Sequence, residues 1–175
     1  LAEWSPASRL VPPTERAATA AEWDTYPAIV KPVGRTASSG VRRVADATEL
    51  RAALEELMPV EPALVETLVE GPELSVESLV VDGRVVFVSP TGKRTNEFDG
   101  THFVEMGHTV PDPLLTPREW RAVQDANAAI LARLGFRDGA AHAEMRTRPD
   151  GGVTLMEIAG PPRRDLSYPL LHLAT

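Results

Sequence analysis

The sequence predicts an α+β fold. Two runs of alternating apolar and polar residues fold back on themselves around Asp-Gly dipeptides, at Asp82-Gly83 and Asp150-Gly151. Such dipeptides favour two-residue type I′ turns, and hence antiparallel hairpins. Two longer segments carry helical spacing with start and stop signals. Antiparallel strands mixed with a pair of helices, without an internal repeat, belong to the α+β class.

Residues 1–25 show weak periodicity and are expected to form an arm, or the remnant of an upstream domain. The run "AIVKPV" reads as a buried strand over residues 28–31, ended by Pro32. "VRRV" is a second short strand, and a hairpin across the intervening Gly/Ser loop joins them. "DATELRAALEELM" is a helix capped by Asp46 or Thr48, with Leu50, Leu54 and Leu57 on one face. "ALVETLV" is a strand, and "GPELSVESLVVDGRVVFV" is the first Asp-Gly hairpin. One face of that hairpin carries Glu73, Ser75 and Glu77; the other carries Leu74, Val76, Ser78 and Val80. The second long helix is "TPREWRAVQDANAAILARLGF". Thr116 with Glu119 forms a capping box, Pro117 takes the first helical position and Gly135 stops the helix.

The last hairpin, "AAHAEMRTRPDGGVTLMEIA", bears most directly on chemistry. With Asp150-Gly151 as a two-residue turn, Pro149 faces Gly152 and Glu144 lies opposite Glu157. His142, Glu144, Arg146, Leu155, Glu157 and Ala159 then share a polar face. Ala141, Ala143, Met145, Thr154, Met156 and Ile158 share the core face. Directly opposed carboxylates repel and need a counter-charge. A Mg²⁺ ion supplies it in one reading, since Mg²⁺ takes carboxylate oxygens together with substrate phosphates. In the other reading Arg146 screens the pair on a wet surface. A three-residue turn with a bulge would shift the register and part the glutamates.

Charge and composition narrow the function classes. Among 175 residues the formal net charge is −7 and no cysteine occurs. A nucleic-acid partner is not expected without a basic surplus, and disulfides, thiolate nucleophiles and Cys-based zinc sites are excluded. No apolar run is long enough to span a membrane, and a cytoplasmic protein is the default expectation. Of 18 Lys plus Arg, only Lys31 and Lys93 are lysines. Lys31 precedes a loop with little side-chain bulk, containing Gly34, Thr36, Ser38, Ser39 and Gly40. Backbone N–H groups of such a loop approach a polyphosphate closely, and the lysine adds a point charge. Most Gly/Ser loops are merely loops, but together with a distant carboxylate pair this one suggests a nucleotide site. His102 and His108 fit no zinc-helix spacing. His142 reads as a strand histidine bonded to a neighbour, and no Gly-x-Ser-x-Gly elbow is present.

"IVKPVGRTASSGV", "LVETLVEGPELSVESLV" and "AHAEM…LMEIAG" together resemble the ATP-grasp superfamily of carboxylate–amine ligases, nearest to the L-amino-acid ligase and carbamoyl-phosphate-synthetase-like branch. The resemblance covers residues 26–175 and implies a fold of two lobes with the nucleotide between them. The small lobe would be residues 26–68 and the larger one residues 69–175, the whole being a piece of a longer protein. ATP and Mg²⁺, or Mn²⁺, are the implied cofactors; a carboxylate and an amine are the implied substrates. Any homo-oligomer would form through regions outside this sequence. Lys31 would contact the phosphates and the adenine side, and the loop with Thr36, Ser38, Ser39 and Gly40 would close over the triphosphate. Glu66, Thr67, Leu68 and Val69 would form the hinge that reads adenine, with Glu73 on the ribose. Glu144 and Glu157 would hold the metal. Lys93 or Arg94 would face the phosphate or the carboxylate substrate. The arginine that the family usually carries four residues after the second glutamate is Pro161 here, and Arg163 or Arg164 would substitute for it. Pro161 and the absence of an upstream lysine favour one alternative, a nucleotide-binding pseudoenzyme or regulatory module; another is a non-catalytic α+β interaction domain with both glutamates solvated.

Overall fold

A computed structural model describes residues 14–16, 23–32, 40–95 and 105–160. Two antiparallel sheets carry the architecture. The smaller has the order β1-β4-β2-β3, from β1 (Thr14–Arg16), β2 (Ala28–Pro32), β3 (Arg42–Val44) and β4 (Ala63–Thr67). The larger has the order β7-β6-β5-β8-β9, from β5 (Glu73–Val81), β6 (Arg84–Thr95), β7 (Glu105–Thr109), β8 (Gly139–Thr147) and β9 (Val153–Ala159). One helix accompanies each sheet: α1 (Ala47–Leu57) and α2 (Pro117–Arg133).

Helix α1 begins where Asp46, rather than Thr48, accepts from the backbone N–H groups of Thr48 and Glu49, at 2.8 and 3.0 Å. Its apolar stripe, Leu50, Ala53, Leu54 and Leu57, is buried against Ala28, Val30, Val44, Ala63 and Val65. Burial of each leucine side chain contributes about 1.5–3 kcal/mol. Helix α2 starts at the Thr116–Glu119 capping box with Pro117 in its first turn. It ends in a Schellman arrangement: Gly135 adopts φ +65°, Phe136 N–H donates to Leu131 O, and Gly135 N–H donates to Ala132 O. Val123, Ala126 and Ile130 then pack on Leu74, Val76, Ala143, Met145, Val153 and Leu155. Buried Asn127 adds a polar tie to Ser78 Oγ at 2.7 Å.

Both Asp-Gly hairpins form, with differences from the expected registers. Asp82 and Gly83 take φ +50° and +75°, as a type I′ turn requires, but a bulge between Leu79 and Val80 shifts the β5–β6 pairing by one residue. Strand β6 continues to Thr95, so Lys93 and Arg94 lie on a strand rather than in a loop. The β8–β9 turn is a correction. Gly151 N–H donates to Arg148 O at 2.9 Å and Arg148 N–H to Gly152 O at 2.8 Å, which makes a three-residue loop of Pro149, Asp150 and Gly151. Gly151 at φ +79° is the left-handed residue that such loops need. The loop pairs Arg146 with Thr154 and Met145 with Leu155, so Leu155 joins the core and Thr154 shares a face with Arg146. Both assignments reverse the expected faces for those two residues.

Thr14–Arg16 pairs with Arg16↔Leu64 and Thr14↔Glu66, giving the small sheet an outer strand that the weak local pattern did not announce. Among the described residues no helix is long and apolar enough to cross a membrane.

Candidate functional site

The face of the larger sheet turned away from α2 carries a line of alternating charges. Period-two alternation puts Glu73, Ser75 and Glu77 of β5 on one face, directly opposite Arg146, Glu144 and His142 of β8. Arg146 Nη2 lies 2.8 Å from Glu73 Oε2. Lys93 Nζ from β6 lies 2.8 Å from Glu73 Oε1 and 2.7 Å from Glu144 Oε1. His142 Nε2 stands 3.8 Å from the same Glu144 oxygen, and its Nδ1 is 2.6 Å from Glu77 Oε1. Reading across the sheet, the signs run positive at Arg146, negative at Glu73, positive at Lys93, negative at Glu144, positive at His142 and negative at Glu77.

The electrostatics follow from this order. His142, and Lys93 against the cost of burial, hold the Glu144 carboxyl down at about 2. The Glu144 and Glu77 carboxylates lift His142 to about 10, so the ring is a cation at neutral pH. Burial works against the charge on Lys93, yet Glu144 and Glu73 together hold its ammonium above the ordinary lysine range.

Glu157 is the direct cross-strand partner of Glu144, as expected, and it is exposed. The route to that pairing differs from the one expected. The three-residue loop offsets β9 by one residue, and a bulge that leaves Met156 without a partner on β8 takes the offset back before Glu157. The reading in which Arg146 screens the two glutamates on a wet surface is incorrect. Arg146 is 5% exposed and clamps Glu73, the Val69 carbonyl at 3.2 Å and the Gly71 carbonyl at 3.4 Å. Counter-charge reaches Glu144 from Lys93 and His142 instead.

The small sheet brings the other lysine to the same place. Lys31 of β2 pairs with Glu66 of β4, whose side chain is 9% exposed. Lys31 Nζ also donates a long hydrogen bond, 3.5 Å, to the carbonyl of Met156, the residue before Glu157. Lys93 thus contacts one member of the carboxylate pair, and Lys31 the backbone next to the other. The segment after β4 is held from two sides. Leu68 N–H donates to Pro27 O at 3.2 Å, and Val69 is buried with its carbonyl taken by Arg146. Thr67 Oγ1 is buried without a hydrogen-bond partner. Such an atom costs about 1–3 kcal/mol unless a ligand satisfies it.

Gly40 closes the far end of the Gly/Ser loop at φ +81°. Thr36, Ser38, Ser39, His102, Pro161, Arg163 and Arg164 lie outside the described residues. Among the described residues no group of three or more metal-ligating side chains occurs. A cation here would take its remaining ligands from elsewhere, which suits Mg²⁺ held by one or two carboxylates plus phosphate oxygens. Sequence reasoning missed the part of Arg146, whose partners are two carbonyls some 75 residues upstream. It also missed the bulge at Met156, which has no local signature.

Comparison with known proteins bears on the family and the fold. A family model described as an ATP-grasp domain matches residues 24–165. The curated ATP-grasp enzyme fsqD of Aspergillus fumigatus is 28% identical over 134 residues, which cover 70% of this chain and 23% of that protein. Among solved structures, L-amino acid ligase from Bacillus licheniformis is 27% identical with a TM-score of 0.68, covering 85% of this chain and 36% of its own. The biotin carboxylase–beta-gamma-ATP complex from Campylobacter jejuni superimposes with a TM-score of 0.72 at 16% identity, a likeness of fold, over 90% of this chain and 38% of the other. The chain thus spans well under half the length of each of these relatives.

Proposed function

Because the chain belongs to the ATP-grasp domain family, we propose that it is the nucleotide-binding core of a ligase that joins a carboxylate to an amine at the expense of ATP. The observation that carries this reading is the opposed pair Glu144 and Glu157, with Lys93 on Glu144 and Lys31 on the carbonyl of Met156, the residue before Glu157.

In this reading the hinge at Glu66, Thr67, Leu68 and Val69 lies along the adenine, and the unpartnered Thr67 hydroxyl is the buried atom a bound nucleotide would satisfy. Glu73 follows directly and would serve the ribose. Lys31 would present its ammonium to the phosphates, a role that the loop residues Thr36, Ser38, Ser39 and Gly40 would share through their backbone N–H groups. Glu144 and Glu157 would hold Mg²⁺, or Mn²⁺, which takes its remaining ligands from outside the carboxylate pair. When bound, the ion neutralises charge on the transferred phosphoryl group. Arg163, near the end of the sequence, would face the reacting carboxylate. The carboxylate oxygen attacks the γ-phosphorus as the bond to ADP breaks. The amine then attacks the acyl carbon, inorganic phosphate leaves, and the amine nitrogen loses a proton to solvent. No side-chain nucleophile is required; the chain contributes positioning and countercharge.

Titration calorimetry with ATP tests the reading. Binding that strengthens when Mg²⁺ is added, together with phosphate release by the full-length protein in the presence of certain amino acids, is the expected result. ATP that fails to bind with or without Mg²⁺ would overturn it.

A further inference from the structure

Lys93 offers an inference that rests on the nucleotide site just proposed. Its expected position was toward the phosphate or the carboxylate substrate. Without a nucleotide its ammonium is drawn into the sheet: the side chain is 6% exposed and touches Glu73 and Glu144 at 2.8 and 2.7 Å. A buried ammonium is costly unless paired, and here it is shared between a carboxylate at the hinge end of β5 and a candidate metal ligand on β8. Both described contacts of Glu144, from Lys93 and His142, use Oε1. A bare divalent cation approaching Glu144 therefore meets the Lys93 ammonium, 2.7 Å from Oε1.

We propose that Lys93 is a positioning residue that holds the place of the divalent cation while the nucleotide is absent, so that the cation enters only as a nucleotide complex. Lys93 keeps Glu73 and Glu144 paired and in position in the empty site. It also repels free Mg²⁺ or Mn²⁺, whose two charges the phosphates must first offset. On entry of the complex, Glu144 passes from the ammonium to the cation, and Lys93 is left with Glu73.

Mn²⁺ titration followed by electron paramagnetic resonance, on the chain as it stands and without nucleotide, tests this. Wild type and Lys93→Arg, which keeps the charge, are expected to bind Mn²⁺ equally weakly. Lys93→Met is expected to bind it at least about tenfold more tightly, since a unit charge a few ångströms away has been removed. Adding Glu144→Gln to that variant should abolish the gain. An equal affinity in wild type and Lys93→Met, or a gain that survives Glu144→Gln, overturns the proposal. Should Lys93→Met not fold, Lys93→Met/Glu73→Gln compared with Glu73→Gln alone reads the same difference without leaving a Glu73 carboxylate oxygen that has lost its ammonium. ATP binding by wild type is scored separately. With Mg·ATP bound by wild type and no gain in Lys93→Met, the role of the lysine falls and the nucleotide site stands. A gain without any ATP binding has the opposite meaning.

Discussion

Glu144 and Glu157 face each other across β8 and β9 through two compensating irregularities, a three-residue loop and a bulge at Met156. A slip of one residue would turn Glu157 to the opposite face of the sheet. The bulge returns it to the face that carries Lys93, Glu73 and His142. The pairing is therefore a property of the whole hairpin rather than of its turn.

Glu157→Gln is expected to weaken Mg²⁺-dependent ATP binding by about tenfold or more, the loss of one charge-assisted contact. Its stability should stay within about 0.5 kcal/mol of wild type, because the side chain is exposed. Calorimetry and urea unfolding measure the two effects. Unchanged affinity would remove Glu157 from the metal site.

Lys31→Ala removes an ion-pair partner from a carboxylate that is nearly buried. A loss of about 1–3 kcal/mol in unfolding free energy is expected. Nucleotide binding should weaken with or without metal, because the contact is to phosphate and not to the cation. An equal dissociation constant in metal-free buffer would place Lys31 outside the site.

Gly71→Ala tests the packing of the hinge. Gly71 takes φ +128°, and a Cβ there would lie 1.8 Å from the Thr147 carbonyl oxygen. Neither the dihedral nor the main-chain neighbour can yield cheaply, so a loss of at least about 2 kcal/mol is expected. Thermal unfolding reads it directly. A variant as stable as wild type would contradict the close passage of this segment over β8.

The charge line also sets a pH window for the metal-free chain. The carboxyl of Glu144 falls from its ordinary 4.5 to about 2, so its contribution is complete above 4.5 and is lost as the pH drops toward 2. His142 rises from 6.5 to about 10, so its contribution is complete below 6.5 and is lost as the pH climbs through 10. Between about 4.5 and 6.5 both contribute in full, and unfolding free energy should decline on either side. His142→Gln should flatten the alkaline decline and reduce the acid one as well, because His142 is the largest cause of the lowered Glu144 carboxyl. An alkaline slope unchanged in that variant would show that another group causes it.

What could be read from the sequence was local. Helix α2 announces itself through Thr116, Glu119, Pro117 and Gly135, because caps are chemistry between residues a few positions apart. The inward faces of β5 and β8 follow from alternation, which puts Leu74, Val76 and Val80 of one strand and Ala141, Ala143 and Met145 of the other in the core. Strands β1 and β7 carry no such pattern. They are short outer strands of three and five residues, whose existence depends on a neighbour already in place. The bulges and the two carbonyls held by Arg146 depend on tertiary contacts. Of the site, the carboxylate pair and Lys31 were legible from hairpin register and from family resemblance. The seat of Lys93 between Glu73 and Glu144 was not, since it requires three strands of the sheet to be in register at once.

Lys31 grips β9 by the main-chain carbonyl of Met156. Every amino acid offers the same oxygen, so that tie is indifferent to which residue occupies the position. It is sensitive to length: deleting one residue from β9 removes the bulge, and inserting one displaces the carbonyl along the strand. Among natural variants of this chain, position 156 should drift freely in residue type, while the spacing from Gly151 to Glu157 stays constant.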